Sequence, residues 1–77
     1  MNPEEKKLLW ERTQHLVAVA NQLAWNAEEH GMNRMQETLT GTNGDRAMLT
    51  VSSRLLSQSR SDLEAAAQDL LDLAPNP

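Results

Sequence analysis

The chain of 77 residues contains no cysteine, phenylalanine or tyrosine, and it has only two tryptophans. Without cysteine it can form neither a disulfide nor a thiolate metal site. A core of this size rarely supplies more than ~3–5 kcal/mol of stability, and small domains usually add disulfides, metals or oligomerisation. The composition therefore leaves self-association as the expected source of additional stability.

The sequence also lacks a long apolar run and a surplus of positive charge. No segment approaches the ~20 apolar residues of a membrane-spanning helix, and we expect no signal peptide and no membrane partner. The net charge is −4, whereas proteins that bind the nucleic-acid backbone need clustered basic residues. We expect a cytoplasmic protein, although the absence of cysteine fits a secreted helical protein equally well.

Leucine recurs at every seventh position in both halves of the chain. Small residues occupy the alternate positions of the same stripe, where they let two helix axes approach while the leucines fill the gaps. The pattern predicts two helices that pack against each other. The predicted seam residues are Leu9, Leu16, Ala20, Leu23 and Ala27, then Leu49, Leu56, Leu63, Ala66 and Leu70, with Thr13, Ser52, Ser59 and Leu73 also on the stripes.

Capping and breaking residues predict where the two helices begin and end. Asn2 and Pro3 are typical of a helix start, and Pro75 and Pro77 stop the second helix. We predict one domain over 1–77, with a helix at 3–39, a turn at 40–44, a helix at 46–74 and a tail at 75–77. In this prediction Asp45 caps the second helix. A break at Gly31, followed by a short helix, is the alternative for the first segment.

Two patterns favour an antiparallel arrangement. The position numbers of Leu23 and Leu56 sum to 79, as do those of the other leucine pairs outward from the turn. The basic start of the first helix would also lie beside the acidic end of the second helix, and opposite charges favour that orientation. The predicted fold is all-α, an antiparallel two-helix hairpin that forms a homodimeric four-helix bundle.

The alternation of leucines and small residues over Leu9 to Ala27 and Leu49 to Leu73 resembles that of the Rop family. Members of this family are plasmid-encoded hairpins that dimerise into a four-helix bundle and bind paired RNA loops through a basic helical face. The resemblance implies a nucleic-acid-binding regulator. In this chain the basic surface of the dimer would comprise Arg46, Arg54 and Arg60.

A second apolar stripe lies away from the seam of the first helix. Trp25, Met32 and Leu39 are spaced by seven residues, and Met35 lies near them. Such a stripe is either the second face of a four-helix core or a surface that binds a protein partner. Trp10 flanks the seam beside Val17 and indicates a core or bundle interface.

Nothing in the sequence indicates catalysis, a cofactor or a metal site. No glycine-rich phosphate loop and no pairing of a nucleophile with a base is present. His15 and His30 are expected to face solvent. Neither has a histidine, aspartate or glutamate four residues further along the chain, and His15 has only Glu11 four residues before it. We therefore expect a protein that is not an enzyme.

The leading hypothesis is a small interaction protein of bacterial or phage origin that binds a larger protein through a helical face. An adaptor, an inhibitor or a secretion-type chaperone would act in this way. The predicted partner-binding residues are Trp25, Met32, Met35 and Leu39. The alternatives are the Rop-like regulator and a secreted hairpin similar to the WXG family, although the turn here contains no Trp-x-Gly.

Overall fold

Two long α-helices lie side by side in the computed structural model, which describes residues 1–73. The first, α1, spans Pro3–Thr40, and the second, α2, spans Asn43–Leu71; no strand occurs among residues 1–73. The hairpin is a rod with extents of 57 × 18 × 15 Å. The predicted all-helical hairpin is confirmed.

The first helix begins at the predicted cap and continues without a break through Gly31. The side-chain oxygen of Asn2 accepts a hydrogen bond from the backbone N–H of Glu5 at 2.8 Å, and Pro3 follows at the first helical position. An interior glycine costs ~1 kcal/mol relative to alanine, and a helix of 38 residues packed along its length tolerates that cost. The alternative of a break at Gly31 does not occur.

The connection between the helices is shorter than the predicted turn at 40–44. Gly41 ends α1 in the left-handed region with φ of 59°, a conformation that glycine adopts without the steric cost of a Cβ atom. Thr42 then caps α2, since its hydroxyl accepts from the N–H of Asp45 at 3.1 Å. The Asp45 carboxylate accepts in return from the N–H of Thr42 at 3.3 Å. Asp45 is therefore the third residue of a capping box, and the prediction that it is the cap was wrong.

The second helix ends at Leu71, before the predicted limit of residue 74. The N–H of Asp72 still donates to the carbonyl of Gln68 at 2.9 Å, and the N–H of Leu73 donates to the carbonyl of Leu70 at 3.1 Å. The tightening from a four-residue to a three-residue hydrogen bond marks the end of the helix. Residues 74–77, which include the predicted tail, lie outside the described residues.

Three polar contacts define the antiparallel register. Arg12 Nη1 donates to the carbonyl of Asp69 at 2.6 Å, His30 Nδ1 lies 2.9 Å from Ser52 Oγ, and Arg46 Nε lies 3.8 Å from a Glu37 carboxylate oxygen. The numbers of His30 and Ser52 sum to 82, so the helices are shifted by almost one turn from the leucine-to-leucine pairing that sums to 79. In seven-residue steps from this pair, Leu23 comes opposite Ser59 and Leu16 opposite Ala66, while Leu9 comes opposite Leu73.

The seam of α1 also follows a different pair of heptad positions from the predicted one. Ala20 and Ala27 are exposed, whereas Val19 is half-buried and Asn26 is buried against α2. Both the predicted pair of alanines and the observed pair, Val19 and Asn26, lie beside the stripe of Leu16 and Leu23 on a helical wheel. Hydrophobicity alone favours alanine over asparagine. Asn26 can be buried because α2 provides hydrogen-bond partners for its amide.

The interface between the helices consists of two chemically different halves. In the half nearer the turn, which we call the turn half, Asn26 and Ser59 are buried and His30 contacts Ser52. In the half nearer the chain termini, the open half, the seam is aliphatic and includes the most deeply buried residue, Ala66, at 1 % exposure. The half-buried aliphatic residues of the open half are Leu16, Val19, Leu63, Ala67, Leu70 and Leu73.

Candidate functional site

An apolar groove runs along one side of the turn half. Trp25 of α1 faces Met48, Val51 and Leu55 of α2 across a cleft of about 190 Å³. The four large side chains are between 50 % and 56 % exposed, so each has an apolar surface open to solvent. We call this feature the Trp25 groove. Its other lining residues are Asn26, Glu29, Asn33 and Ser52.

Helical spacing explains why these residues meet. Met48, Val51 and Leu55 are separated by three and four residues, so they form one stripe on α2 immediately beside its leucine seam. Trp25 precedes the seam residue Asn26 and lies on the same side of the hairpin. The groove is therefore built from the flanks of two adjoining seams, with one stripe from each helix.

The base of the groove is polar and rigidly held. Asn26 Nδ2 donates to Ser59 Oγ, while Asn26 Oδ1 accepts from Gln22 Nε2 at 3.3 Å. Every buried side-chain nitrogen and oxygen within residues 1–73 has a hydrogen-bond partner. Because the Asn26 amide is paired on both sides, the groove offers apolar side walls and no unpaired polar atom below them.

The structure brings only part of the predicted partner-binding set to this groove. Trp25 lines it, and Met32 and Leu39 continue the same stripe of α1 toward the turn, with exposures of 59 % and 75 %. Met35 is 60 % exposed, lies about 80° around α1 from Trp25 by helical spacing, and does not line the groove. Of the four predicted residues, only Trp25 lines the groove, while Met32, Met35 and Leu39 are exposed further along α1.

Three residues that the sequence reasoning missed complete the groove. Met48, Val51 and Leu55 were not singled out because they flank a strong leucine heptad in which Leu49 and Leu56 dominate. The spacing of 48, 51 and 55 was a usable signal, since an apolar stripe beside a seam predicts a second contact surface.

A second apolar surface lies on the other side of the hairpin, in the open half. Trp10 is 64 % exposed and Val17 is 49 % exposed, and they are seven residues apart on α1. The exposed Ala20 and Ala24 lie beside them on the same side of the helix. We call these four residues the Trp10 surface. Thus the two tryptophans belong to separate surfaces on opposite sides and in opposite halves of the molecule.

Basic residues gather on the same side as the Trp10 surface, but in the turn half. His30, Arg34, Leu49, Thr50, Ser53 and Arg54 line a shallow cleft of about 410 Å³ between the helices. We call it the arginine cleft. Of the three arginines predicted to form a basic face, only Arg54 lines this cleft. Arg46 pairs with Glu37 beside the turn, and Arg60 lies further along α2.

The two histidines differ, contrary to the prediction that both face solvent. His15 is exposed, whereas His30 is half-buried and its Nδ1 lies 2.9 Å from Ser52 Oγ. The Ser52 hydroxyl donates to the carbonyl of Leu49 at 3.1 Å. No cluster of three metal-ligating side chains occurs in the part of the chain that the structure describes.

One carboxylate of the turn has a perturbed acidity. Hydrogen bonds from the side chains of Thr40 and Thr42 stabilise the ionised form and hold the pKa of Asp45 below its usual range. This carboxylate supports the junction of the helices by capping α2, and it lines neither the Trp25 groove nor the arginine cleft.

The assignment of a function to these surfaces depends on their geometry and chemistry. No protein family, curated protein or solved structure matches the chain. None of the helical segments within residues 1–73 combines the length and the apolarity needed to cross a membrane. The fold is that of an antiparallel two-helix hairpin with exposed apolar surface on both sides.

Proposed function

We propose that the protein is a small cytoplasmic interaction protein, not an enzyme, that binds an amphipathic helix of a larger protein in the Trp25 groove. The convergence of Trp25, Met48, Val51 and Leu55 from both helices carries this proposal. Tryptophan is enriched at binding hot spots, and methionine adapts its shape to a partner. Adaptors, inhibitors and secretion-type chaperones act by such capture.

The charge around the groove favours a partner helix with basic flanks. Glu29 lines the groove itself, and Glu28 is exposed next to it in sequence. No basic residue lines the groove, and the chain as a whole carries a net charge of −4. A helix with leucines on one face and lysines or arginines beside them would place its apolar residues between the walls and its charges beside the glutamates.

The exposed area of the chain supports a second proposal, that another copy of the chain binds at a different surface. The surface of the chain is 5949 Å², whereas a compact monomer of this mass exposes about 4,700 Å². The surplus of roughly 1,200 Å² exceeds the ~800 Å² that each partner buries in a stable interface. We propose a homodimer through the Trp10 surface, which makes a four-helix bundle. A two-fold axis near Val17 would pack Trp10 of each copy on Ala24 of the other.

A designed peptide tests the groove. The probe is an amphipathic helix of about 18 residues, or five turns, with leucine on one face and lysine on the other. Trp25→Ala should weaken its binding by roughly tenfold or more, as loss of a hot-spot residue does, and should leave the melting temperature nearly unchanged. Trp10→Ala is the matched control, because Trp10 is as exposed but lies outside the groove.

A leucine–glutamate version of the peptide tests the charge argument, and it should bind more weakly than the lysine version. Equal affinities of the two peptides would contradict the basic-partner proposal. Equal losses from Trp25→Ala and Trp10→Ala would refute the groove as the site. Unfolding of Trp25→Ala would place this side chain in the core that maintains the fold.

Sedimentation equilibrium tests the dimer independently. Ala20→Glu puts a carboxylate on the Trp10 surface and should shift a dimer to monomer at tens of micromolar. Met35→Glu makes the same chemical change at an exposed position on the back of α1 and should leave the dimer intact. A monomeric mass for the unaltered protein, with a melting curve independent of concentration, would reject the four-helix bundle.

A further inference from the structure

The arginine cleft carries two positively charged side chains, one from each helix. Arg34 of α1 and Arg54 of α2 are both exposed and line opposite sides of the cleft. Within residues 1–73, neither guanidinium lies within 4.0 Å of a carboxylate, whereas Arg46 pairs with Glu37. The donors of Arg34 and Arg54 are thus available for a ligand.

The floor and rim of the cleft add polar groups and no acidic residue. His30 is fixed by the hydrogen bond between its Nδ1 and Ser52 Oγ, and it lines the cleft together with Thr50 and the exposed Ser53. The Thr50 hydroxyl donates to the carbonyl of Arg46 at 3.0 Å, so it is not a free donor. Two guanidinium groups and one serine hydroxyl match an oxyanion in charge and hydrogen-bonding character.

The arrangement favours a ligand with several anionic groups over a single ion. Arg34 and Arg54 stand on two different helices at an open cleft, where water competes for a lone phosphate or carboxylate. A polyanion gains from each contact by releasing counterions, and it can also reach Arg60 further along α2. We propose that the arginine cleft binds the phosphodiester backbone of a nucleic-acid duplex.

A duplex fits the cleft better than a single strand does. Proteins that bind single strands combine a basic groove with aromatic side chains on which the bases stack. No aromatic residue lines the arginine cleft. Trp25 lies on the opposite side of the hairpin and Trp10 lies in the other half. Contacts limited to phosphates give affinity without base recognition, so we expect binding that is sensitive to salt and insensitive to sequence.

The overall negative charge does not oppose this site at physiological salt. On α1, Glu37 is three residues from Arg34 but is paired with Arg46. On α2, Asp45 precedes Arg54 by nine residues and Asp62 follows it by eight. At 1.5 Å per residue the shorter of these spacings is about 12 Å along the helix, longer than the Debye length of ~8 Å. The site is also separate from the Trp25 groove, so this inference stands independently of the proposed protein partner.

Fluorescence anisotropy with labelled duplexes tests the proposal. The probes are a DNA and an RNA duplex of one sequence, about 20 base pairs long, at ~50 mM salt. The double variant Arg34→Ala with Arg54→Ala should weaken binding by tenfold or more. It should also reduce the slope of log affinity against log salt by about 2, one for each phosphate that the variant no longer neutralises. The tighter of the two duplexes identifies the class of nucleic acid.

A charge-matched control separates the cleft from the net charge. The double variant Lys6→Ala with Lys7→Ala also removes two positive charges, but near the start of α1. It should leave the affinity for the duplex within twofold of that of the unaltered protein. Circular dichroism should show the same helix content for both double variants. Equal losses in the two variants would overturn the proposal, as would tighter binding of a single strand. It also fails if polyglutamate competes as well as the duplex, or if no saturable binding occurs at micromolar protein.

Discussion

The turn half and the open half of the hairpin hold the same two helices together by different means. In the turn half, asparagine, histidine and serine fill the seam and satisfy one another by hydrogen bonds. In the open half the seam is aliphatic and centred on Ala66. Paired polar groups contribute little net stability but penalise misalignment, whereas buried aliphatic surface stabilises without fixing the register. The comparison indicates that polar contacts specify the register, including the bond from Arg12 to Asp69 in the open half, whereas the aliphatic seam contributes more of the stability.

The two outer sides of the hairpin also differ from each other in the surfaces that they carry. On one side of the hairpin the turn half carries the Trp25 groove, and Asp62 and Asp69 follow on the corresponding stripe of α2 toward the open end. On the other side the turn half carries the arginine cleft, while the open half carries the Trp10 surface. The molecule thus offers three chemically distinct surfaces.

The largest predicted effect belongs to the aliphatic half of the seam. Leu63→Ala should reduce the free energy of unfolding by ~2–3 kcal/mol, near the low end for leucine because the side chain is half-buried. Leu56→Ala is the matched control in the turn half. It should reduce the free energy of unfolding by less, because the neighbours of Leu56 are polar. Urea denaturation at one protein concentration measures both values. Equal losses would mean that the two halves do not differ in stability.

Ser59 tests whether the turn half depends on its polar contacts. Ser59→Leu should cost ~1–3 kcal/mol, because a position 4 % exposed between two close helices has no room for the larger side chain. Ser59→Ala should cost only ~1 kcal/mol, mainly by removing the acceptor of the Asn26 amide. A stabilising effect of Ser59→Leu, measured by thermal unfolding, would contradict the buried register of this residue.

The smallest predicted effect concerns how the contribution of the turn to stability depends on pH. The lowered pKa of Asp45 means that its ionised form stabilises the fold. This contribution is complete above the ordinary aspartate pKa and is lost as the pH falls through the lower folded value, thus below about pH 4. The difference in stability between the unaltered protein and Asp45→Asn should therefore shrink in that range.

Thr40→Val provides the companion measurement for Asp45. The Thr40 side chain is the largest cause of the lowered pKa, so its removal should raise the Asp45 pKa toward the ordinary value. An NMR titration of the Asp45 carboxyl carbon would detect the change. An unchanged value would show that the Thr42 contacts alone maintain the ionised form.

The leucine heptads predicted the architecture because each heptad pattern can be recognised from the residues of a single helix. They predicted two helices, and they placed Ser52, Ser59 and Ala66 on the inward stripe of α2, where the structure buries them. The helix start at Asn2 followed from local capping chemistry in the same way. Each of these features is determined by neighbours within a few residues, so the sequence contains the information directly.

The features that were missed depend on both helices together. Asn26 takes the position assigned to Ala27 because Ser59 of the other helix satisfies its amide, a pairing that no single-helix pattern reveals. The pairing of leucine with leucine was wrong for a similar reason. Leucines on α1 pack more closely against small residues on α2 than against other leucines. The Trp25 groove likewise became visible only when two separate stripes were brought side by side.

The two-residue connection also has a consequence for the order in which the hairpin folds. Loop closure costs the least entropy for residues nearest the turn, so the pairs of Glu37 with Arg46 and His30 with Ser52 can form first. These early contacts are the polar ones, and they release little free energy when they form. We therefore expect a late transition state in which the polar contacts near the turn are already formed and have high φ-values. Leu16 and Leu63, whose docking completes the barrier crossing, should also have substantial values.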